Sequence, residues 1–181
     1  EFVIQTARAI LEGTPVAAFK LGVLGSVDVV EAVHSILYDY PDIPVDFDPV
    51  LASGAGTELA NQDVVDAIRT LLLPMTDVLT PNTLEAAVLV PEADTPAAMA
   101  CGLLDRGCDH VLLTGTHDDN LHVVNRLYHN HREIDAFEWP RLPQEYHGSG
   151  CTLAATLSAL LALGLDPLSA AREAQHFTWQ S

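Results

Sequence analysis

A chain of 181 residues is one domain's worth, and 49% hydrophobic with only 18% charged residues favours an ordered globular protein with a sizeable core over a disordered one. The 25 acidic against 8 basic residues give a formal net charge of −17, which repels nucleic acid and anionic lipid alike. Any anionic ligand must therefore be held locally, by backbone amides or a bound cation.

In chain order, residues 2–11 carry apolar side chains at helical spacing, and Gly13-Thr14-Pro15 stops that helix. Residues 16–21 suit a short buried strand. Ser26 can cap a helix with Val29, Val30, Val33, Ile36 and Leu37 on one face, ending before Pro41. Residues 43–48 form the second strand, closed by Pro49. After the small-residue loop Ala52-Ser53-Gly54-Ala55-Gly56-Thr57, Asn61 can cap a helix running to Leu73, and residues 77–80 give the third strand. A short helix starts at Thr83. Thr95-Pro96 is a cap followed by proline, so residues 97–106 should be helical, with Gly107 as the stop. Residues 111–114 are the fourth strand. Over residues 121–139 two β-prone runs flank His129-Asn130-His131, which reads as an antiparallel hairpin. A nearly all-apolar helix, expected to be central and buried, follows Gly148-Ser149-Gly150 and ends at Gly164; Asp166-Pro167 opens the last helix, residues 168–177. Strands alternating with helices predict one α/β domain over residues 1–181: a three-layer sandwich with a mostly parallel central sheet and helices on both faces.

No apolar run approaches membrane-spanning length, and nothing at the start resembles a signal peptide. Cys101, Cys108 and Cys151 make an odd count without a Cys-x-x-Cys pair, which argues against a disulfide framework and fits a reducing cytoplasm. Cys101 and Cys108, seven apart, are expected to share a buried helix face. The chain opens at Glu1, without Met, inside a helical pattern, which suggests an incomplete N-terminus.

The chemistry centres on residues 146–152, Tyr-His-Gly-Ser-Gly-Cys-Thr. Gly148 and Gly150 lack a Cβ, so a ligand can approach the backbone amides closely, and the first amides of a helix favour an anion. Cys151 falls in the first turn, where a thiol is a candidate base or nucleophile; the bland reading is a tight turn whose Cys packs as a small hydrophobe. His147 beside it raises the possibility of a cysteine hydrolase, but the spacing is not the Gly-x-Ser-x-Gly elbow and no third orienting group is evident. Asp48 ends its strand and Asn82 follows the next, so both should reach the same sheet edge, where a carboxylate can hold Mg2+ through water. Asn82 and Glu85 also read as a capping box, which needs no ligand. Asp46, a carboxylate inside a buried strand, needs a partner that the sequence does not name. His117, His129 and His131 lack zinc spacing and read as residues of solvated turns.

Taken together, Lys20-Leu21-Gly22-Val23-Leu24, Asp48-Pro49-Val50-Leu51, Thr80-Pro81-Asn82-Thr83-Leu84-Glu85-Ala86, Gly115-Thr116-His117 and His147-Gly148-Ser149-Gly150-Cys151-Thr152-Leu153 resemble, in order and spacing, the hydroxymethylpyrimidine/phosphomethylpyrimidine kinase family of thiamine biosynthesis, within the ribokinase-like superfamily. The resemblance implies a cytoplasmic, commonly dimeric enzyme that uses ATP and Mg2+. It would phosphorylate 4-amino-5-hydroxymethyl-2-methylpyrimidine and then take the monophosphate to the diphosphate. By position, Cys151 would be the base that accepts the proton of the attacking oxygen, and would also contact substrate. The amides of Gly148, Ser149 and Gly150 would form an anion hole for the transferring phosphoryl group. Asn82 and Glu85 match an Asn-x-x-Glu motif that organises Mg2+ and phosphate, with Asp48 nearby as a second metal carboxylate. Thr114 and Gly115 fall where the family contacts ATP, and Val23 and Val50 where it lines the pyrimidine pocket.

Two departures stand out. The family usually places Lys before its Gly-Gly-His segment, whereas Thr114 precedes Gly115-Thr116-His117 here; a hydroxyl can still hydrogen-bond phosphate, but without the charge. The family's N-terminal portion, with a glycine-rich first strand and a pyrimidine-binding glutamine, is not in this sequence, and its C-terminal portion is short. Pyridoxal kinase activity and a non-catalytic nucleotide- or pyrimidine-binding role are the alternative readings.

Overall fold

The computed structural model describes residues 2–52, 59–116, 121–142 and 148–181; Ser53, Gly54, Ala55, Gly56 and Thr57 of the expected small-residue loop, and His117, Tyr146 and His147, lie outside them. Helix α1 (Phe2–Gly13) leads to strand β1 (Phe19–Leu21), helix α2 (Val27–Asp39) and strand β2 (Val45–Phe47). Next come α3 (Gln62–Ala67), β3 (Val78–Leu79), α4 (Thr83–Leu89), α5 (Pro96–Asp105) and β4 (His110–Leu113). The hairpin β5 (His122–His129) and β6 (Arg132–Pro140) then precedes α6 (Ser149–Ala162) and α7 (Pro167–Gln180).

Local sequence rules set most boundaries. Ser26, Asn61, Asn82, Thr95 and Asp166 each accept a backbone N–H three residues on, so every cap read from the sequence is formed. Gly107 closes the segment after α5 with φ 104°, and a Cβ there would meet Pro74 Cα at 2.9 Å, so only glycine fits. The hairpin loop is two residues long, with Asn130 at φ 49° and His131 at φ 59°, the two left-handed residues that a type I′ turn requires.

Four parallel strands and the antiparallel hairpin form a six-stranded sheet in the order β1-β2-β3-β4-β5-β6 among the described residues. Because β1 to β4 step in one direction, right-handed crossovers put α2 to α5 on one face. Phe47, Leu79, Val111 and Tyr128 pack there with Val30, Leu72, Leu89 and Leu103. On the other face Val78, Leu112 and Leu127 meet Leu153, Leu157 and Leu161 of α6 and Ala170, Ala171 and Ala174 of α7. This is the three-layer α/β arrangement expected from the sequence.

Several expectations need correction. The strands are shorter than their apolar runs: residues 16–18 do not join β1, and Asp48 stands just beyond β2. The helix expected from Asn61 to Leu73 is α-helical only to Ala67; it continues as a π-helical turn (Ile68–Leu72) and a 3-10 turn (Leu73–Met75), because Pro74 has no N–H to continue the α ladder. Cys108 is buried but lies past the end of α5, so it does not share a helix face with Cys101. Helix α6 is not buried all round. Leu153, Ala154, Leu157, Ser158 and Leu161 are covered, whereas Cys151, Ala155 and Ala159 are exposed on the floor of an open groove of about 590 Å3 whose wall is Phe177 of α7.

One polar contact fixes how α6 lies on the sheet. Asp46 on β2 is fully buried, and its Oδ2 accepts a 2.7 Å hydrogen bond from Ser158 Oγ. Here is the partner that the sequence left unnamed. Ser158→Ala would leave both carboxylate oxygens of Asp46 without a hydrogen bond, so it should lower unfolding free energy by about 1–3 kcal/mol in a urea titration, more than Ser181→Ala at the exposed C-terminus.

Candidate active site

In a parallel sheet the carboxyl ends of the strands share one edge. Here Gly22 and Val23 follow β1, Asp48 and Val50 follow β2, Asn82 follows β3, and Thr114 and Gly115 follow β4, with an isolated parallel bridge joining Asn82 to Thr114. The first turn of α6 reaches the same edge, where the Cys151 thiol lies close enough to the Asp48 carboxylate to help stabilise its charged form. Gly148 is the N-cap at φ 92°, and among the described residues no side chain caps the helix, so the amide end of α6 lies at this edge. Gly150, by contrast, is already helical and needs no positive φ.

Asp46 and Asp48 are two residues apart and so point to one face of the strand. Ser158 and Cys151 are seven apart, two turns, and so lie on one stripe of α6. The pairings follow: Asp46 with Ser158 deep in the sandwich, Asp48 with Cys151 at the edge. Lys20, the chain's only lysine, is in register with Asp46 across β1, and its Nζ lies 3.5 Å from Asp48 Oδ2. The 9% exposure of the Asp48 side chain makes this ion pair stronger than an exposed one.

Burial pushes the Asp46 carboxyl up to about 7, against the Ser158 hydrogen bond and the Lys20 charge, which hold it down. Desolvation also raises Asp48, again opposed by Lys20 and by the Cys151 hydrogen bond. Glu85 rises to about 7, first through burial and then through the charge of Asp48. Its Oε2 accepts the Asn82 N–H at 2.9 Å while Asn82 Oδ1 accepts the Glu85 N–H at 2.9 Å, a complete capping box. The bland reading of this pair is thus realised, and it also aims the Glu85 carboxyl at the edge, within the field of Asp48. Asp46 and Asp48 share one ammonium and Glu85 has none, and a divalent cation at Asp48 and Glu85 would relieve the repulsion between those two. Oxygen ligands from one or two carboxylates, completed by water, are the donor set that Mg2+ takes.

The nucleotide-side candidates are less free. Thr114 Oγ1 donates to Pro81 O at 3.4 Å. The Gly115 N–H donates to Asn125 Oδ1 at 3.1 Å, within a network in which Asn125 Nδ2 and Trp139 Nε1 both donate to Gln175 Oε1. These bonds hold the segment after β4 against the hairpin and α7. Val23 is 53% exposed beside this edge and Val50 is half-buried. Sequence reasoning missed Lys20 as a member of the cluster, and Ser158. A lone cation in a buried strand and a lone hydroxyl in an apolar helix were the available signals.

The protein family described as phosphomethylpyrimidine kinase matches residues 1–181. Among curated proteins, the hydroxymethylpyrimidine/phosphomethylpyrimidine kinase of Escherichia coli is 34% identical over 166 residues, covering 88% of this chain and 62% of that protein. The chloroplastic thiamine biosynthetic bifunctional enzyme of Arabidopsis thaliana is 32% identical over 183 residues, 98% of this chain but 35% of its own length. The chain therefore spans less than two thirds of these relatives. Among solved structures, the ADP complex of Bacillus subtilis pyridoxal kinase is 29% identical with a TM-score of 0.82, covering 96% of this chain and 67% of that one. A phosphomethylpyrimidine kinase of Clostridium difficile, 22% identical, shares the fold with a TM-score of 0.82 over 98% of this chain and 74% of its own. No helix among the described residues is long and apolar enough to cross a membrane.

The raised Asp46 carboxyl has a consequence for stability. A folded-state value above the unfolded one favours the fold at low pH, and the contribution is lost as pH rises from about 4 through about 7. Asp46→Asn should flatten the decline in unfolding free energy between pH 4 and pH 8, by up to about 4 kcal/mol relative to the unsubstituted protein, measured by urea unfolding at each pH.

Proposed function

The chain belongs to the phosphomethylpyrimidine kinase family, and from that premise we propose that it acts as an ATP-dependent kinase of 4-amino-5-hydroxymethyl-2-methylpyrimidine and of its monophosphate. The observation that carries the reading is the Cys151 side chain, in the first turn of α6, beside a buried carboxylate that is itself paired with Lys20. The substrate hydroxyl attacks the terminal phosphorus of ATP, and its proton passes to Cys151 Sγ. Asp48 accepts the thiol proton in turn. Desolvation, by raising Asp48 from its ordinary value, makes it a better acceptor than an exposed Asp would be. The amides that open α6 at Gly148, Ser149 and Gly150 stabilise the negative charge on the transferring group, and no atom of these glycines obstructs its approach.

Asp48 and Glu85 would hold Mg2+ through water, and the ion when bound would offset charge on the nucleotide phosphates. Thr114 and Gly115 border the nucleotide, Thr114 without the charge of a lysine, and Val23 and Val50 border the pyrimidine ring. Pyridoxal is the second candidate substrate, favoured by the likeness to pyridoxal kinases at 27–29% identity.

The test is phosphorylation of hydroxymethylpyrimidine and pyridoxal in parallel, with ATP, with and without Mg2+. Metal-dependent formation of the pyrimidine mono- and diphosphate is expected. Pyridoxal phosphate alone would move the activity to the sister substrate, and nucleotide binding without any turnover would leave a binding protein. Cys151→Ala should lower kcat by about 10²–10⁴-fold with ATP affinity nearly unchanged, because a base acts in the transition state whereas the amides remain. An unchanged rate would remove Cys151 from the proton transfer.

A further inference from the structure

A second cluster of chemically capable side chains lies at the opposite end of the sheet, where β4 begins and β5 ends. His110 and His129 face each other across the antiparallel pair, their rings stacked with centroids 4.2 Å apart and planes 10° from parallel. Asp109 sits against both: Oδ2 is 3.0 Å from His110 Nδ1, and Oδ1 is 3.4 Å from His129 Nδ1. The three residues each offer a ligand atom, all within 4.8 Å of one another.

These spacings have a chemical meaning. Bonds of about 2.0–2.1 Å to nitrogen and oxygen in a tetrahedral site put neighbouring ligand atoms about 3.3 Å apart, which is what the two Asp109 to imidazole distances bracket. A second observation is independent of spacing: His110 Nδ1 is buried and makes no hydrogen bond of acceptable geometry, although the carboxylate is close. A buried polar atom left in that state is costly, and a bound ion is one of the few groups that would satisfy it.

We infer that Asp109, His110 and His129 form a binding site for a borderline divalent transition ion of the Zn2+ class, with water completing the coordination. Two imidazoles and one carboxylate are the donor set for such ions rather than for Mg2+. The parallel rings must turn about their terminal torsions for both lone pairs to converge, a motion those broad torsions allow. In doing so His129 Nδ1 exchanges its 2.9 Å contact with the Asp109 carbonyl for the metal. Nearby, His131 of the hairpin turn pairs at 2.8 Å with Asp105 at the end of α5. The site is separate from the Cys151 edge, since His110 opens β4 and Thr114 follows its far end.

The test is titration of the metal-free protein with Zn2+, and with Co2+ as a spectroscopic probe, alongside His129→Gln, Asp109→Asn and Cys151→Ser. His129 and Asp109 are partly exposed, so their variants should keep the far-UV circular dichroism of the parent. One ion per chain is expected, with the intense visible Co2+ absorption of a tetrahedral site. His129→Gln and Asp109→Asn should each weaken binding by about tenfold or more, and Cys151→Ser should not. Equal Zn2+ affinity in the parent and His129→Gln would overturn the assignment, as would loss of the Co2+ spectrum in Cys151→Ser alone.

Discussion

Two carboxylates on the inner face of a single strand constrain this structure more than any other feature. Asp46 and Asp48 leave β2 toward the layer that α6 occupies, and one lysine is available to answer them. The alternation of a strand and the seven-residue stripe of a helix then determine the rest. Once Ser158 is hydrogen-bonded to Asp46, Cys151 two turns earlier is brought to Asp48, and the helix can present its amide end only at the carboxyl edge of the sheet. An apolar pair in place of Asp46 and Ser158 would hold the layers together at less electrostatic cost. The acid pair adds orientation, and it places a thiol against a carboxylate that burial has already made readier to take a proton.

The same economy is visible at Asn82 and Glu85. Their reciprocal hydrogen bonds start α4 as any capping box would, yet they also hold a buried carboxyl at the edge where Asp48 adds to its repulsion. A structural and a chemical reading of this motif are therefore compatible, because the bonds that satisfy the helix terminus also hold the carboxyl beside Asp48. Around Gly115 the opposite holds. Its amide is spent on Asn125 within the Gln175 and Trp139 network, so this side of the edge is organised by its own hydrogen bonds rather than by a free donor.

Much of this was legible because it is local. Caps at Ser26, Asn61, Asn82, Thr95 and Asp166, the prolines behind two of them, and the glycines at 107, 148 and 164 each act within a few residues, and each does in the structure what its chemistry dictates. The parallel sheet followed from the alternation of elements, and Asp48, Asn82 and Cys151 could be placed on one edge before any contact was known. Features that depend on distant partners could not be read. Ser158 and Asp46 are 112 residues apart, Asn125 and Gln175 are 50 apart, and the stack of His110 on His129 depends on a strand register that no single segment encodes. Helix α6 was expected to be buried all round because its composition is apolar nearly all round. Burial depends on what lies opposite, and among the described residues Cys151, Ala155 and Ala159 line the open groove beside Phe177.

The central claim is that Asp48, held by Lys20 and coupled to Cys151, receives the proton during phosphoryl transfer. The most direct measurement is the pH dependence of kcat for Asp48→Asn beside the unsubstituted protein, with nucleotide affinity determined separately. An amide cannot accept the proton, so the expected result is a loss of about 10²-fold or more in kcat, and of the acidic limb of the profile, with nucleotide still bound. A variant that retains both the rate and the acidic limb would contradict the account, and would reduce Asp48 to a structural partner of Lys20.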